Sequence, residues 1–235
     1  MPLHKSNHFE PVEYPETLTR AQAIQIQKDL ASQVIIEDKF FCLNYIAGVD
    51  AAYDEKNFTQ IVAATLFDAK TFALIETTII QRPIIFPYIT GLLSFRELPG
   101  FIQALNKLSI KPDLIMVDGA GIAHPRGLGI ASHLGILCDV PTIGCAKTLL
   151  TGIYEEPKLS KGSCSSLIGK GKEIGMVVRT KDNIKPLFIS AGHRISLKTA
   201  IQNVLNFSKG FRLPEPTRQA DKSVGLFKTS KKKNT

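Results

Sequence analysis

Long apolar runs are missing from this 235-residue chain. No stretch approaches the roughly 20 apolar residues that a membrane-spanning helix needs, so a membrane partner is not expected. The opening segment, MPLHKSNHFEPVEYPE, holds three prolines and no apolar block of the kind a secretory signal carries. Residues 1–16 therefore read as a loose arm on a protein made without export. Cysteine is scarce: Cys42, Cys138, Cys145 and Cys164 form no C-x-x-C pair, and a reducing, cytoplasmic compartment is the simplest expectation. Repeats and heptads are absent too. What remains is ordinary globular composition, 44% hydrophobic and 21% charged, in a length that suits one α/β domain acting as a monomer.

Charge is unevenly spread. Residues 1–140 carry 11 basic and 15 acidic side chains, a balance of −4, whereas residues 141–235 carry 18 and 6, a balance of +12. Such asymmetry points to a polyanion, nucleic acid first, held by the C-terminal half while upstream acids collect cations. Residues 223–235, with Lys228 and Lys231 to Lys233, read as a disordered basic tail that can anchor phosphate. That tail does not account for the excess of +6 between residues 141 and 208, from 10 basic and 4 acidic groups.

Thr19-x-x-Gln22 predicts a capping box opening an amphipathic helix with Ile24, Ala31, Val34 and Ile35 on one face. Tyr45 to Val49, Ile61 to Phe67 and Phe72 to Ile80 read as three strands with connections too short for crossovers, hence antiparallel. A helix follows from about Ser94 to Leu108, with an interruption expected at Pro99. LIMV (Leu114 to Val117) and TIGCA (Thr142 to Ala146) are short buried-strand patterns, parallel if Ile130 to Leu137 is a crossover helix. Residues 151–173 read as an irregular connection. A hairpin (Ile174 to Arg179, Leu187 to Ala191), a helix (Ser196 to Phe207) and the turn-rich KGFRLPEPTRQAD complete a mixed sheet flanked by helices.

Three acids stand where these elements would present them: Asp50 after IAGV, Glu97 in SFRE, Asp118 after LIMV. If the first and fourth strands are parallel neighbours, Asp50 and Asp118 come close enough to repel unless a proton or a cation intervenes. Oxygen-only donors select Mg²⁺, with Mn²⁺ able to substitute. Carboxylate-held metal beside a polyanion fits phosphodiester hydrolysis. Lys147, at the end of TIGCA, would stabilise charge in the transition state or position the nucleophile. His124 is balanced between a proton donor near the leaving oxygen and a structural loop histidine. Four glycines in the eleven residues Gly119 to Gly129 suggest a backbone that bends sharply or approaches a ligand closely.

The blocks IAGVDAAY, FPYITGLLSFRE, PDLIMVDGAGIAHPRGLGIASHLGILCDVPTIGCAK, PLFISAGHRIS and FRLPEPTRQAD, in this order and spacing, closely resemble the endonuclease V family, over about residues 20–222. The resemblance implies an RNase H-like fold across residues 17–222. It implies Mg²⁺-dependent hydrolysis of the second phosphodiester bond 3′ to deoxyinosine, leaving 3′-hydroxyl and 5′-phosphate ends, in DNA or, as some members prefer, in inosine-containing RNA. A non-cleaving inosine or branched-DNA binder is the alternative from another class. Carried over by motif, Asp50, Glu97 and Asp118 are metal-binding acids, Asp221 completes the metal shell, Lys147 is the catalytic lysine and His124 belongs to the HPR loop. Tyr88 matches the tyrosine of the strand-separating wedge, here PYIT, and Pro87, Ile89 and Gly91 are expected with it at the substrate. Gly119, Gly121, Arg126 and Gly127 are expected at the substrate, with backbone groups of the glycines reading the hypoxanthine edge. The sequence departs from the family at Thr90, where a second proline is usual, at Ala120 and at Gly127. His193, in HRIS, reads as structural.

Overall fold

Alternation of side chains along the strands decides which face of the sheet each functional group reaches. The computed structural model describes residues 8–233. Helix α1 (Arg20–Ala31) opens with the predicted capping box. Strands β1 (Tyr45–Asp54), β2 (Thr59–Asp68) and β3 (Leu74–Pro83) form antiparallel pairs. Helix α2 (Leu93–Leu105), strand β4 (Leu114–Val117), helix α3 (Ile130–Cys138) and strand β5 (Thr142–Ala146) follow, and β4 lies parallel to both β1 and β5. Then come β6 (Cys164–Gly169), β7 (Lys172–Val178), β8 (Leu187–His193), α4 (Leu197–Phe207) and α5 (Glu215–Lys233). The strand order is β3-β2-β1-β4-β5-β8-β7-β6 in a single sheet. Its first five strands carry the expected RNase H-like arrangement of three antiparallel followed by two parallel strands.

On β1, Ala47 and Val49 join the core against α2 and α3, while Ile46 packs with α4 on the opposite face. On β4, Ile115 and Val117 repeat the first choice and Leu114 and Met116 the second. Continuing that alternation sends Asp50 and Asp118 to the face that α4 and α5 cover. Ile143 and Cys145 of β5 lie on that face as well, so Lys147 follows them. Helix α5 comes close because β1 has a glycine there: a Cβ on Gly48 would sit 2.1 Å from the Pro216 carbonyl carbon. Thr65 Oγ1 donates to Pro216 O at 2.9 Å from the neighbouring strand.

Several expectations are corrected. Residues 215–233 are helical rather than a turn and a disordered tail, because Ala220 and Val224 are buried against Ile61 and Ala63, and Pro216 falls in the first turn, where its missing N–H costs nothing. Residues 234 and 235 lie outside the described part. The arm is tied down: Phe9 is buried in the main core and exchanges two backbone hydrogen bonds with the Asn106 side chain, and Tyr14 packs edge-on to Phe95. Residues 1–7 are outside the described part. Helix α1 stops at Ala31, so Val34 and Ile35 lie beyond it, and its buried face is Ala23 and Gln27. Helix α2 runs through Pro99 without a break. An interior proline costs about 3 kcal/mol, but burying Phe95, Leu98, Phe101, Ile102 and Leu105 at roughly 1.5–3 kcal/mol each outweighs it. Residues 164–169 form an edge strand that periodicity overlooks, since only Leu167 on it is buried.

All four cysteines are free, and no helix among the described residues is long and apolar enough to cross a membrane. Gly48→Ala should drive a methyl into the Pro216 backbone. The expected loss, read from the urea midpoint, is about 1–3 kcal/mol; an unchanged midpoint would show that α5 does not rest on β1 there.

Candidate active site

The carboxyl ends of β1, β4 and β5 open into a cleft of about 390 Å³, lined by Asp50, Glu97, Asp118, His124 and Lys147 among others. Pairing of Val49 with Val117 makes Asp50 and Asp118 side-by-side neighbours, and α5 adds Asp221. One carboxylate oxygen from each of these three lies within 4.8 Å of the others. Lys147 Nζ bridges two of them, 2.5 Å from Asp118 Oδ2 and 3.2 Å from Asp221 Oδ1.

Glu97 is in the cleft but not in that trio. It comes from α2, on the other face of the sheet, and accepts a hydrogen bond from Tyr53 Oη, whose side chain alternation also turns toward α2. Burial, with the Asp118 charge adding to it, pushes Glu97 up to about 8 although Tyr53 opposes. Burial also raises Asp50 to about 8, with Asp118 adding to it and Lys147 opposing. Asp118 is raised by burial in spite of Lys147. Burial alone would lower Lys147, yet Asp118 and the other acids win and raise it. Such a site demands positive charge. Three convergent carboxylates with no nitrogen or sulfur donor fit a hard divalent cation.

The wedge segment divides. Phe86 is buried and Ile89 packs with it against Phe95 and Ala23, while Pro87 is exposed and Tyr88 stands 67% exposed at the mouth of the cleft. Gly91, in the left-handed region at φ 79°, ends the turn. Its carbonyl accepts three hydrogen bonds, from Gln27 Nε2 at 3.0 Å, His124 Nε2 at 3.0 Å and Arg126 NH2 at 2.7 Å. The other His124 nitrogen accepts from Arg126 N at 3.2 Å, which fixes the proton on Nε2. Burial lowers His124 to about 4, so it is neutral at pH 7 with both nitrogens committed. That geometry favours the structural side of the balance left open for His124. Arg126 is likewise engaged, its Nε donating to Gln27 Oε1 at 2.6 Å.

Of the glycines expected at the substrate, Gly91 and Gly119 line the cleft. Gly121 does not: its N–H is taken by Ser190 Oγ at 2.8 Å, and a Cβ there would lie 2.1 Å from Ala191 O. It is a close-packing glycine rather than a reader of a base. Gly127, at φ 73°, lines an adjoining groove. His193 is structural as expected, accepting from Ile35 N.

Four contributors carry no clear signal in the sequence. Gln27, a buried amide four residues after Ala23, is hidden when α1 is taken as core packing. Tyr53 holds Glu97, and Gly48 admits α5. Arg212, within the FRLPEPTRQAD block, donates to Lys147 O at 2.6 Å and Pro186 O at 2.8 Å and so fixes the lysine's main chain.

Residues 28–222 match the family model described as Endonuclease V. The chain is 52% identical to endonuclease V of Rippkaea orientalis over 209 residues, 88% of this chain and 90% of the relative. It is 49% identical to that of Dictyoglomus turgidum over 85% of this chain and 86% of the relative. The crystal structure of endonuclease V from Streptomyces avermitilis superposes with a TM-score of 0.87 at 36% identity, covering 95% of this chain and 100% of that one. Ciona intestinalis endonuclease V, in complex with a 24mer DNA containing an inosine followed by a ribo-adenosine, superposes with a TM-score of 0.80 at 28% identity over 89% and 98%.

The acid cluster sets a pH dependence. For Asp50 and Glu97 the folded pKa, about 8, exceeds the ordinary values of 3.8 and 4.5; their contribution is therefore fully present below about 4 and lost as pH rises through 8. In chelator, Asp50→Asn should gain thermal midpoint relative to the parent across that window, and added divalent cation should stabilise the parent more at pH 8 than at pH 5. Parallel midpoint curves would remove Asp50 from a strained acid cluster.

Proposed function

The chain belongs to the endonuclease V family, and from that premise we propose that it is a metal-dependent nuclease directed to inosine. In this reading it hydrolyses the second phosphodiester bond 3′ to deoxyinosine, leaving 3′-hydroxyl and 5′-phosphate ends. It acts as a cytoplasmic monomer in the repair of deaminated adenine. The observation that carries the reading is the convergence of Asp50, Asp118 and Asp221 with Lys147 across two of them.

These three acids would hold Mg²⁺, or Mn²⁺ in its place, with Glu97 reaching in from α2. A cation held there would supply activation of water and neutralisation of charge on the phosphodiester oxygens. Lys147, whose pKa is raised, keeps its proton at neutral pH and so serves as a fixed positive charge facing the phosphate rather than as a base. The neutral His124 holds the wedge turn through Gly91 O. Tyr88, exposed on that turn, is placed to stack into the gap left by an extruded base, and Gly119 and Gly91 offer backbone groups to the hypoxanthine edge. Thr90 loosens the turn less than the loss of a proline suggests, because the Gly91 carbonyl is tied by three donors.

An end-labelled DNA oligomer carrying one deoxyinosine should be cut at the second bond 3′ to it with Mg²⁺ and not in chelator; no such cut sinks the proposal. Asp50→Asn and Asp118→Asn should each lose at least ~10²-fold in cleavage rate while still binding. The Ciona relative is held with DNA whose inosine precedes a ribonucleotide, so matched oligomers differing only in sugar decide between DNA and RNA as the preferred substrate. Gln27→Leu removes one donor from Gly91 O and an acceptor from Arg126. Cleavage of duplex substrate should fall about tenfold, with little change on a single strand that needs no opening. Equal losses on both would assign Gln27 to stability alone.

A further inference from the structure

Beside the cleft, and sharing His124 with it, runs a second groove of about 760 Å³, nearly twice the cleft's volume. Its walls come from the end of α1, the HPR loop, the segment after Lys147 and the turn joining β6 to β7. The charged side chains on those walls are Lys28, Arg126, Lys170 and Lys172, and among the described residues no carboxylate lines them. Glu173, the next residue along β7, turns its carboxylate to Ser166 Oγ at 2.7 Å. Four cations without an anion select a polyanion.

The β6–β7 turn fixes where its two lysines leave the backbone. Gly169 pairs with Lys172, and the two residues between them, Lys170 and Gly171, have φ of 51° and 74°, the mirror-image turn that matches the twist of a hairpin. Lys170 Nζ donates to Pro125 O at 3.1 Å, which ties the hairpin to the loop carrying His124. The same walls carry apolar surface, with Ile153 74% exposed and Ile122, Ile168 and Ile174 lining the groove with it. Space is open above Gly127 and Gly171, where an added Cβ would meet nothing within 4 Å. Cations and apolar surface on the walls of one groove suit a strand that presents phosphates and base faces together. A small anion would leave Ile153 unused.

We infer that this groove carries the single nucleic-acid strand that extends from the cleft on its His124 side, with Lys170 and Lys172 contacting its phosphates. The inference rests on the nucleic-acid reading of the cleft and adds a second stretch of substrate to it.

The test is binding of a labelled single strand carrying one deoxyinosine, in chelator so that nothing is cut, across a range of salt concentrations. Each phosphate contact contributes roughly 0.7 to the slope of log K against log salt for a single strand. The Lys170→Ala/Lys172→Ala double variant should therefore lower the slope by about 1.4. Lys181→Ala/Lys185→Ala, which removes the same charge beyond the other end of β7, should lower it by less than half as much. All four lysines are exposed, and equal thermal midpoints would verify that both variants fold. Equal slopes for the two variants would overturn the groove assignment. A parent that cuts the inosine strand with Mg²⁺ but shows equal slopes loses only the groove. A parent that fails to cut while the slopes differ loses the nuclease reading and keeps a strand-binding groove.

Discussion

Parallel pairing of β1 with β4 is the constraint on which the rest of the site depends. Once Val49 lies opposite Val117, the next residues of both strands are aspartates on the same face of the sheet, and neither can retreat without breaking the register. Two ionised carboxylates within 4.8 Å repel by on the order of 3–4 kcal/mol at an effective dielectric constant near 20. The sheet can hold them together because Ala47, Val49, Ile115 and Val117 are buried beneath α2 and α3. It cannot abolish the repulsion. Protons, Lys147 or a bound cation must offset it, and Asp50, raised first by burial and then by the Asp118 charge, carries a trace of that demand. Gly48 completes the arrangement, since only a residue without a side chain lets α5 approach β1 and deliver Asp221.

The elements that build this geometry are legible in the sequence wherever burial is two-sided. LIMV and TIGCA are strands with the expected ends because a strand covered on both faces reads as an uninterrupted apolar run. Asp50, Asp118 and Lys147 follow such runs directly, so the order of residues alone places them at one edge. Edge and surface elements are not legible in the same way. Strand β6 buries only Leu167 and has almost no periodicity to detect. The lysines after residue 221 suggest a solvated tail, but helix α5 docks there through Ala220, Val224 and Phe227, and three spaced apolar side chains are easily lost among charges. Glu97 shows a different limit: motif order puts it with the acids, whereas the sheet places its helix on the opposite face, so it lines the cleft outside the aspartate trio.

The loop glycines divide by what surrounds their backbones, which sequence does not carry. Gly121 is pressed against Ala191 and its N–H is spent on Ser190; Gly119 lines the cleft; Gly127 needs a positive φ. One residue type therefore answers three separate requirements. The three donors on Gly91 O make the same point for polar groups. Gln27 lies about a hundred residues before His124 and Arg126, and nothing in the sequence links the helix to the loop. Together they fix the turn that exposes Tyr88, so the first helix of the protein is coupled to the wedge through a single carbonyl.

The charge asymmetry between the two halves of the chain resolves into separate surfaces rather than a diffuse field. Among the described residues, Lys147 is the one Lys or Arg side chain lining the catalytic cleft, against Asp50, Glu97 and Asp118, while the adjoining groove has Lys28, Arg126, Lys170 and Lys172 and no acid. Once Asp50 and Glu97 ionise, as holding a cation requires, the cleft's own side chains turn net negative charge toward a phosphodiester. Attraction for a polyanion must therefore come from outside the cleft, and charge stabilisation inside it from Lys147 and a bound cation. Separating the two lets the acids stay close enough to hold a metal without weakening the protein's hold on the strand. For the same reason, loss of an acid is expected to stop cutting before it stops binding.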